Sequence, residues 1–259
     1  MRHRWQDINE LRKPYIRLGE RLFERMLKLQ HNELKQALSD VKDIVDIERA
    51  VENLQLTTNV REWFVRFYTE TGVGMAKRVM RSLRNRKYDE EFYGRDDIWT
   101  EKMLNFVGTR CGRKIAAVTR TSYADIENIT GSAISRGIQE GVGVDRITKY
   151  IVDDVGEIHR WRALRIARTE VLSASNEGMM MGAAEMGEAM TKIWLSTGYP
   201  GPGGHMREDH EAMNDVAVDV NEPFTLPDGV QMDYPGDPDA PPEHVINCRC
   251  SIAFEVKKL

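Results

Sequence analysis

Four residues near the end of the chain have side chains that bind metals or act as nucleophiles and bases. They are His210, His244, Cys248 and Cys250. Two thiolates and two imidazoles form a common ligand set of tetrahedral zinc sites, and two cysteines separated by one residue can reach a single ion. A zinc site is therefore one interpretation of this region.

The same four residues also have the composition of a thiol enzyme. One cysteine would be the nucleophile, one histidine the base, and Asp209 or Asn247 would orient that histidine. Composition alone is weak support, because a chain of 259 residues contains many such triples and the sequence does not show which of them are adjacent in space.

The residues around the cysteines favour a third interpretation, in which both sulfurs pack in the core. Residues 245–256 alternate in polarity and predict a β-strand, whose side chains point to opposite faces in turn. One face would be apolar throughout: Cys248, Cys250, Ile252, Phe254 and Val256. The other would be polar: Asn247, Arg249, Ser251 and Glu255. Because free cysteine packs like a small hydrophobic residue, we expect buried cysteines beside hydrogen-bonded histidines.

Helices are expected to make up the chain before these residues. Apolar residues recur at helical spacing over 15–56, with Ser39-Asp40 as the plausible break, and again over 58–86. Two further helices are predicted at 96–120 and 122–141.

Two more helices are predicted before the first strand. Asp145 is typical of an N-cap, and it would begin a short helix over 146–155. A second helix over 162–190 is rich in glycine, alanine and methionine. Small residues allow another element to approach closely, so this helix is predicted to be buried.

The hydrophobic period changes after residue 190. Four segments are typical of strands or hairpin arms: 191–196, 216–220, 224–226 and 230–232. We therefore predict an α+β protein. An extended, mostly helical N-terminal region, residues 1–140, would serve docking and assembly, and a small C-terminal α+β module with short antiparallel strands would occupy 141–259.

Charge is distributed unevenly along the chain. Residues 1–120 contain 25 lysines and arginines against 18 acidic residues, whereas residues 121–259 contain 12 against 23. The densest basic run has no acidic residue: Lys77, Arg78, Arg81, Arg84, Arg86 and Lys87. An ordinary solvated helix surface explains this basic run, and nonspecific contact with DNA phosphates is the alternative. No sequence-specific DNA-binding module is recognisable.

Cysteine content and hydropathy indicate where the protein is found. Three cysteines, an odd number, do not form a disulfide framework, which favours a reducing compartment. The first residues lack the apolar run of a signal peptide, and no window approaches the roughly 18 apolar residues of a membrane helix. We therefore expect neither secretion nor insertion into a membrane.

Motifs in the second half of the chain occur in an order that resembles one protein family. In sequence they are Ala167-Arg168-Thr169-Glu170, Trp194, Arg207-x-x-His210, Phe224, Pro235-Gly236-Asp237-Pro238 and Ile246-Asn247-Cys248-Arg249-Cys250. This order is similar, over about residues 145–256, to the phage Mu F-like head morphogenesis (minor capsid protein) family. One departure is Asn214-Asp215, where members of the family tend to have a glycine.

We expect these motif residues to have structural roles. Arg168, Thr169 and Glu170 lie in the middle of a predicted helix and cannot all face water, so a buried Arg–Glu arrangement is expected. Hydrogen bonds around the small core are expected from a second set: Arg207, His210, Asn247 and Arg249.

The resemblance implies a virion component present in few copies. Such a protein would be made in the host bacterial cytoplasm and enter the procapsid near the portal, with no established enzymatic activity. We expect portal, major capsid or scaffold protein as partners, nonspecific contact with packaged DNA, no membrane, and no cofactor apart from the zinc alternative. A metal- or thiol-dependent enzyme of capsid maturation and a DNA-binding accessory protein are the alternative functions.

Overall fold

The computed structural model describes residues 2–83, 96–186, 189–197 and 207–257, with side chains from residue 8 onward. Eight helices and five strands follow one another in these ranges, and the predicted α+β class is confirmed. None of the helices in the described ranges is long and apolar enough to cross a membrane.

Two compact units are built from interleaved segments of the chain. The first consists of Met1–Gly19, Phe64–Gly112 and Ala167–Leu259, and the second of Glu20–Trp63 and Arg113–Ile166. The family-like motifs all lie in the first unit. The predicted domain boundary between residues 140 and 141 stays a prediction.

Helices dominate the chain as far as residue 184. They are α1 (Arg2–Ala37), α2 (Ile44–Glu52), α3 (Val60–Leu83), α4 (Asp96–Arg110), α5 (Gly112–Glu140) and α6 (Val144–Ala184). The predicted break at Ser39-Asp40 is confirmed, because α1 ends at Ala37 and a turn follows. Asp43 then caps α2, since its side chain accepts a hydrogen bond from the backbone of Asp46.

The predicted break between residues 120 and 122 is wrong. The chain breaks at Cys111, just before Gly112, and α5 runs unbroken through Thr121 and Ser122. Both hydroxyls donate to carbonyls one turn earlier, at 2.8 Å for Thr121 and 3.2 Å for Ser122, so they do not interrupt the helix.

The predicted division of the last long helix is also wrong. One helix of 41 residues, α6, replaces the short helix over 146–155 and the helix over 162–190, and Asp145 lies in its first turn rather than at the N-cap. The apolar stripe continues through Ile147, Ile151 and Val155, all of which are buried, so nothing ends the helix there.

The second unit is held together by an apolar core and a few buried polar contacts. Its buried core residues come from α1, α2, α5, α6 and the connections between them: Leu34, Leu38, Ile47, Val51, Leu54, Ile126, Ala133, Ile134, Ile147, Ile151 and Val155. Ser122 donates to Gln30 at 2.9 Å, and Arg162 pairs with Asp125 at 3.2 Å. The rings of His31 and His159 meet edge to face, 5.2 Å apart.

Close helix packing in the first unit depends on glycine. A Cβ atom on Gly178 of α6 would lie 2.2 Å from the carbonyl oxygen of Gly72 of α3, and one on Gly182 would lie 2.6 Å from that of Ala76. No side chain fits in that space. The prediction that residues after 162 form a buried helix rich in small residues is thus confirmed for the part that ends at Ala184.

A small antiparallel sheet completes the first unit. Its strands are β1 (Met190–Leu195), β2 (Ala217–Asp219) and β5 (Ser251–Val256), with β1 in the centre. Trp194 of β1 pairs with Ile252 of β5. A separate hairpin consists of β3 (Phe224–Thr225) and β4 (Gln231–Met232). The strands predicted at 191–196 and 216–220 and the hairpin are confirmed.

Asp215, where the chain departs from the family pattern, has a backbone φ of 65°. This left-handed conformation favours glycine, and aspartate is among the few other residues that adopt it readily. The backbone of Asp215 donates to Trp194 at 2.9 Å, which anchors the turn on β1. Aspartate at this position is therefore compatible with the turn.

Candidate functional site

The prediction of one strand over 245–256 is wrong in its first half. A short helix, α8 (Pro242–Val245), precedes the cysteines, and β5 begins only at Ser251. Asn247, with a φ of 57°, turns the chain between them. The predicted apolar side is buried from Cys248 to Phe254, but the predicted faces are wrong at two positions, because Ser251 is fully buried and Val256 is 41% exposed.

The four chemically active side chains nevertheless meet in the core of the first unit. His210 lies on α7 (Glu208–Ala212), His244 on α8, and Cys248 and Cys250 between α8 and β5. All four are at least nine-tenths buried. The predicted burial of both cysteines is confirmed, although no strand carries them.

His210 contacts both sulfurs through the same ring nitrogen. Its Nδ1 lies 3.4 Å from Sγ of Cys248 and 3.7 Å from Sγ of Cys250. Its Nε2 lies 3.3 Å from Nδ1 of His244, and the two rings are stacked. Nε2 of His244 lies 2.9 Å from a carboxylate oxygen of Asp228. The contacts thus form a line from the sulfurs to the carboxylate.

The direction of each hydrogen bond in this line follows from the carboxylate. Asp228 can only accept, so Nε2 of His244 donates to it, and in the neutral ring Nδ1 of His244 must accept. Nε2 of His210 therefore donates to His244. Nδ1 of neutral His210 is left with a lone pair directed at the two sulfurs, which is the form that binds a metal or accepts a thiol proton.

The two thiols affect each other's ionisation in opposite directions. The hydrogen bond from the Cys250 thiol lowers the pKa of Cys248 well below its ordinary value, and His210 adds to this effect against that of burial. The same hydrogen bond, together with burial, raises the pKa of Cys250. Of the two, Cys248 is therefore the sulfur that ionises first.

A buried arginine lies close to the cysteines. The guanidinium of Arg12, on α1, has four acceptors among the described residues, and all are uncharged: Ser175, Asn176, Ser251 and the carbonyl of Cys250. Burial lowers the pKa of Arg12 to about 10, an effect that the two nearby thiols oppose. A buried cation with neutral partners favours negative charge on the neighbouring sulfurs.

Aromatic rings enclose one side of this cluster. Trp194 meets His210 edge to face at 5.2 Å and Phe224 at 5.3 Å, and both Trp194 and Phe224 are fully buried. Arg207, just before α7, donates to the carbonyl of Ile246, just after α8, at 2.5 Å. Motif residues that are distant in sequence thus surround one small core.

A family model described as Phage Mu protein F like protein matches residues 128–253. The match covers just under half of the chain, and over this segment the chain is similar to the phage Mu protein F like family. The resemblance drawn from the motifs is thereby confirmed. No curated protein and no solved structure matches the chain. The match to the phage Mu protein F like family indicates a bacteriophage head morphogenesis protein.

The segment that matches the phage Mu protein F like family contains the whole sulfur–histidine–carboxylate line. Arg12 lies outside it, on α1, as does Tyr68 on α3. Tyr68 is fully buried and donates to Glu170 at 2.5 Å. The family segment of this chain therefore includes buried polar groups whose partners come from the N-terminal helices.

The expected buried Arg–Glu arrangement at residues 168–170 is wrong. Arg168 is exposed, whereas Thr169 and Glu170 are buried. Glu170 has the hydroxyl of Tyr68 as a partner, and Thr169 accepts from the backbone of Asn247 at 3.2 Å. Arg249, expected to hold the core with hydrogen bonds, is exposed as well.

Only half of the basic run lies in the described residues. Lys77 pairs with Asp96 at 2.5 Å, Arg78 is half-buried and Arg81 is exposed. The other three residues of the run lie outside the described ranges: Arg84, Arg86 and Lys87. The three described residues of the basic run therefore differ in exposure, and one of them is in an ion pair.

Sequence reasoning missed two residues of the site, Asp228 and Arg12. Asp228 accepts from His244 at 2.9 Å and lies between the hairpin arms, while the predicted Asp209 has a carboxylate oxygen within 4.8 Å of the same histidine. The position of Asp228 could have been inferred from the sequence, because a side chain in a hairpin turn lies close to the elements that pack against the hairpin. The position of Arg12 could not, since it is one basic residue among many on a long helix.

Proposed function

We propose that the chain is a minor head protein of a tailed bacteriophage, present in few copies and incorporated into the procapsid near the portal. The match of residues 128–253 to the phage Mu protein F like family carries this proposal. The buried, hydrogen-bonded interior of the C-terminal part supports a structural role, because both thiols are at most 5% exposed and a macromolecular substrate cannot reach them.

Portal, major capsid or scaffold protein are the partners that we propose for the helical surface. Trp161 of α6 is 74% exposed and Ile138 of α5 is 63% exposed, both in the second unit. Large apolar side chains that remain in water are candidates for contact with a partner, and tryptophan is the residue that most often dominates such contacts.

The part of the chain with excess positive charge is the part that we propose to face packaged DNA. Residues 1–120 have 25 basic against 18 acidic residues, and the remainder is acidic. Nonspecific attraction to phosphates needs only such charge and weakens with salt. Arg78 and Arg81 are the two arginines of the basic run within the described residues, and they are the ones to test.

Composition of purified particles tests the head assignment. In phage particles that encode this chain, quantitative mass spectrometry should find it in far fewer copies than the major capsid protein, and a density map should place it beside the portal. Particles grown without the gene serve as the control and should lose that density. Absence of the chain from both procapsids and virions would refute the proposal, as would a copy number equal to that of the shell protein.

DNA binding is tested separately by charge neutralisation. Arg78→Gln with Arg81→Gln should lower affinity for duplex DNA and reduce the slope of log affinity against log salt by up to about 2, since each lost phosphate contact reduces it by about 0.9. Arg160→Gln with Arg165→Gln is the matched control, because both arginines are exposed in the acidic part of the chain. Equal binding by both double variants would remove the DNA contact from the proposal.

A further inference from the structure

We propose that His210, Cys248 and Cys250 bind one zinc ion. The three ligand atoms lie within 4.8 Å of one another, and all three residues are buried. The sequence favoured packed cysteines over zinc because a single strand was expected to turn both sulfurs toward an apolar face. The strand begins only at Ser251, after both cysteines, and an imidazole nitrogen lies beside the sulfurs.

Distances within the cluster match those of a tetrahedral zinc site. Zinc bonds of roughly 2.0–2.1 Å to nitrogen and about 2.3 Å to sulfur, at tetrahedral angles, place nitrogen and sulfur about 3.5 Å apart. Nδ1 of His210 lies 3.4 Å from the sulfur of Cys248 and 3.7 Å from that of Cys250. An ion can therefore enter between the three atoms with little movement of the chain.

The histidine is also held in the form that zinc requires. Metal-binding histidines usually donate their other ring N–H to an acceptor, which fixes the tautomer and the ring orientation. His244 and Asp228 provide such an arrangement, because the carboxylate sets the donor of His244 and His244 in turn sets that of His210. Histidines that serve only as structural hydrogen-bonding groups do not need this arrangement, in which the free lone pair on Nδ1 of His210 is directed at two sulfurs.

The charges of the site suit a divalent, thiolate-binding ion. Both S–H protons leave as zinc binds, so one Zn²⁺ and two thiolates have no net charge. Thiolate and imidazole ligands select zinc over magnesium or calcium, which prefer oxygen. The sulfurs keep partial negative charge near Arg12, whose acceptors among the described residues are all uncharged.

The ion would act as a cross-link within the C-terminal part of the chain. His210 on α7 is 38 and 40 residues from the two cysteines, so zinc would close the loop that contains β2, β3, β4 and α8. Three protein ligands and one water satisfy the four-coordination of zinc. Because the ligands are buried, we assign the ion a structural role. The proposal does not depend on the function proposed above.

Metal analysis of the full chain, purified under reducing conditions, is the first test. After incubation with zinc and dialysis, the wild-type chain should retain about one zinc per molecule. Cys248→Ser with Cys250→Ser should retain none, while Cys111→Ser, which removes the third buried cysteine, should retain the wild-type amount. A wild-type chain without zinc after dialysis, or a double variant that keeps it, would overturn the proposal.

Cobalt substitution tests the ligands without any variant, in case the double variant does not fold. The wild-type chain with Co²⁺ should show the sulfur-to-cobalt charge-transfer absorption of thiolate ligation and the strong visible bands of a tetrahedral ion. A cobalt complex without the charge-transfer absorption would mean that the metal binds elsewhere, and the proposal would fail.

The relay to the carboxylate gives a graded test. Asp228→Asn should lower zinc affinity, measured by competition with a chromophoric chelator, by about 10–100-fold, because an amide can donate as well as accept and no longer fixes the orientation of the histidine pair. Asp215→Asn is the control, because among the described contacts this carboxylate accepts from Asn214 and not from either histidine. The role of Asp228 would be refuted if zinc affinity fell equally in both variants. It would also be refuted if zinc affinity were unchanged in both.

Discussion

The backbone N–H of Asn247 donates a hydrogen bond to Oγ1 of Thr169 at 3.2 Å. This contact joins two motifs that are 78 residues apart, one on the buried face of α6 and the other just before the cysteines. Asn247 has a φ of 57°, so its backbone turns sharply at the point where the bond forms. The bond therefore fixes how the cysteine segment leaves α8.

Loss of this hydrogen bond should destabilise the chain. Thr169→Val keeps the shape of the side chain but removes the acceptor, and it leaves a part-buried N–H unsatisfied. We expect the free energy of unfolding to fall by about 1 kcal/mol, or somewhat more if the donor is fully desolvated. Urea unfolding of the full chain measures this. Thr169→Ser, which keeps the hydroxyl, should lose less, and an equal loss in both variants would contradict the role of the bond.

The turn at Asp215 gives a matched pair of substitutions. Because its φ of 65° is costly for a residue with a Cβ atom, Asp215→Ala should lower the unfolding free energy by about 1 kcal/mol relative to Asp215→Gly. The glycine variant restores the residue type that is usual in the family pattern. Thermal unfolding of the two variants gives the comparison. An alanine variant as stable as the glycine variant would show that the left-handed conformation is not kept in solution.

Local patterns predicted most of the fold, because helices and hairpins depend on residues that are close in sequence. The helical spacing over 15–56, the break after Leu38 and the Pro227-Asp-Gly229 turn could all be recognised. The errors arose where tertiary contacts decide. A break was predicted at residue 121, but the hydroxyls of Thr121 and Ser122 bond to the helix itself, and α6 continues because its buried stripe continues.

The cluster around the cysteines could be predicted only in part. The residue types pointed to His210, His244 and both cysteines, yet the sequence could not show that one imidazole nitrogen lies against both sulfurs. That contact depends on α7 and on the turn at Asn247, which are far apart in sequence. Alternating polarity in residues 248–256 indicated a strand, but α8 and the left-handed Asn247 delay the strand until Ser251.

His159 should make the stability of the chain depend on pH. Burial, together with the nearby His31 and Arg162, lowers its pKa from 6.5 to about 4. A histidine with a depressed pKa in the folded state binds its proton more readily when unfolded. The contribution of neutral His159 to the free energy of unfolding is therefore expected to be fully present above about pH 6.5 and to be lost as the pH falls toward 4.

His159→Gln measures this contribution, because it removes the titrating ring and keeps a polar side chain. The difference in thermal unfolding midpoint between wild type and variant should narrow as the pH falls from 6.5 to about 4. His210→Gln is not a suitable control, since it removes a proposed zinc ligand. Arg160→Gln, at the neighbouring exposed position, is used instead because it removes no group that titrates in this pH range, and its difference from wild type should stay constant. A constant difference for His159→Gln as well would contradict the depressed pKa.

Trp161 provides the most direct mutational test of a partner contact. With 74% of its surface in water, the side chain adds little to folding, so Trp161→Ala should leave the unfolding free energy within about 0.5 kcal/mol of wild type. If portal, major capsid or scaffold protein covers this ring, incorporation into procapsids should fall at least severalfold, because an interface tryptophan commonly contributes more than about 1 kcal/mol. Arg160→Ala, at the neighbouring exposed position, is the control and should be incorporated normally. Incorporation of Trp161→Ala at the wild-type level would show that the partner binds another surface.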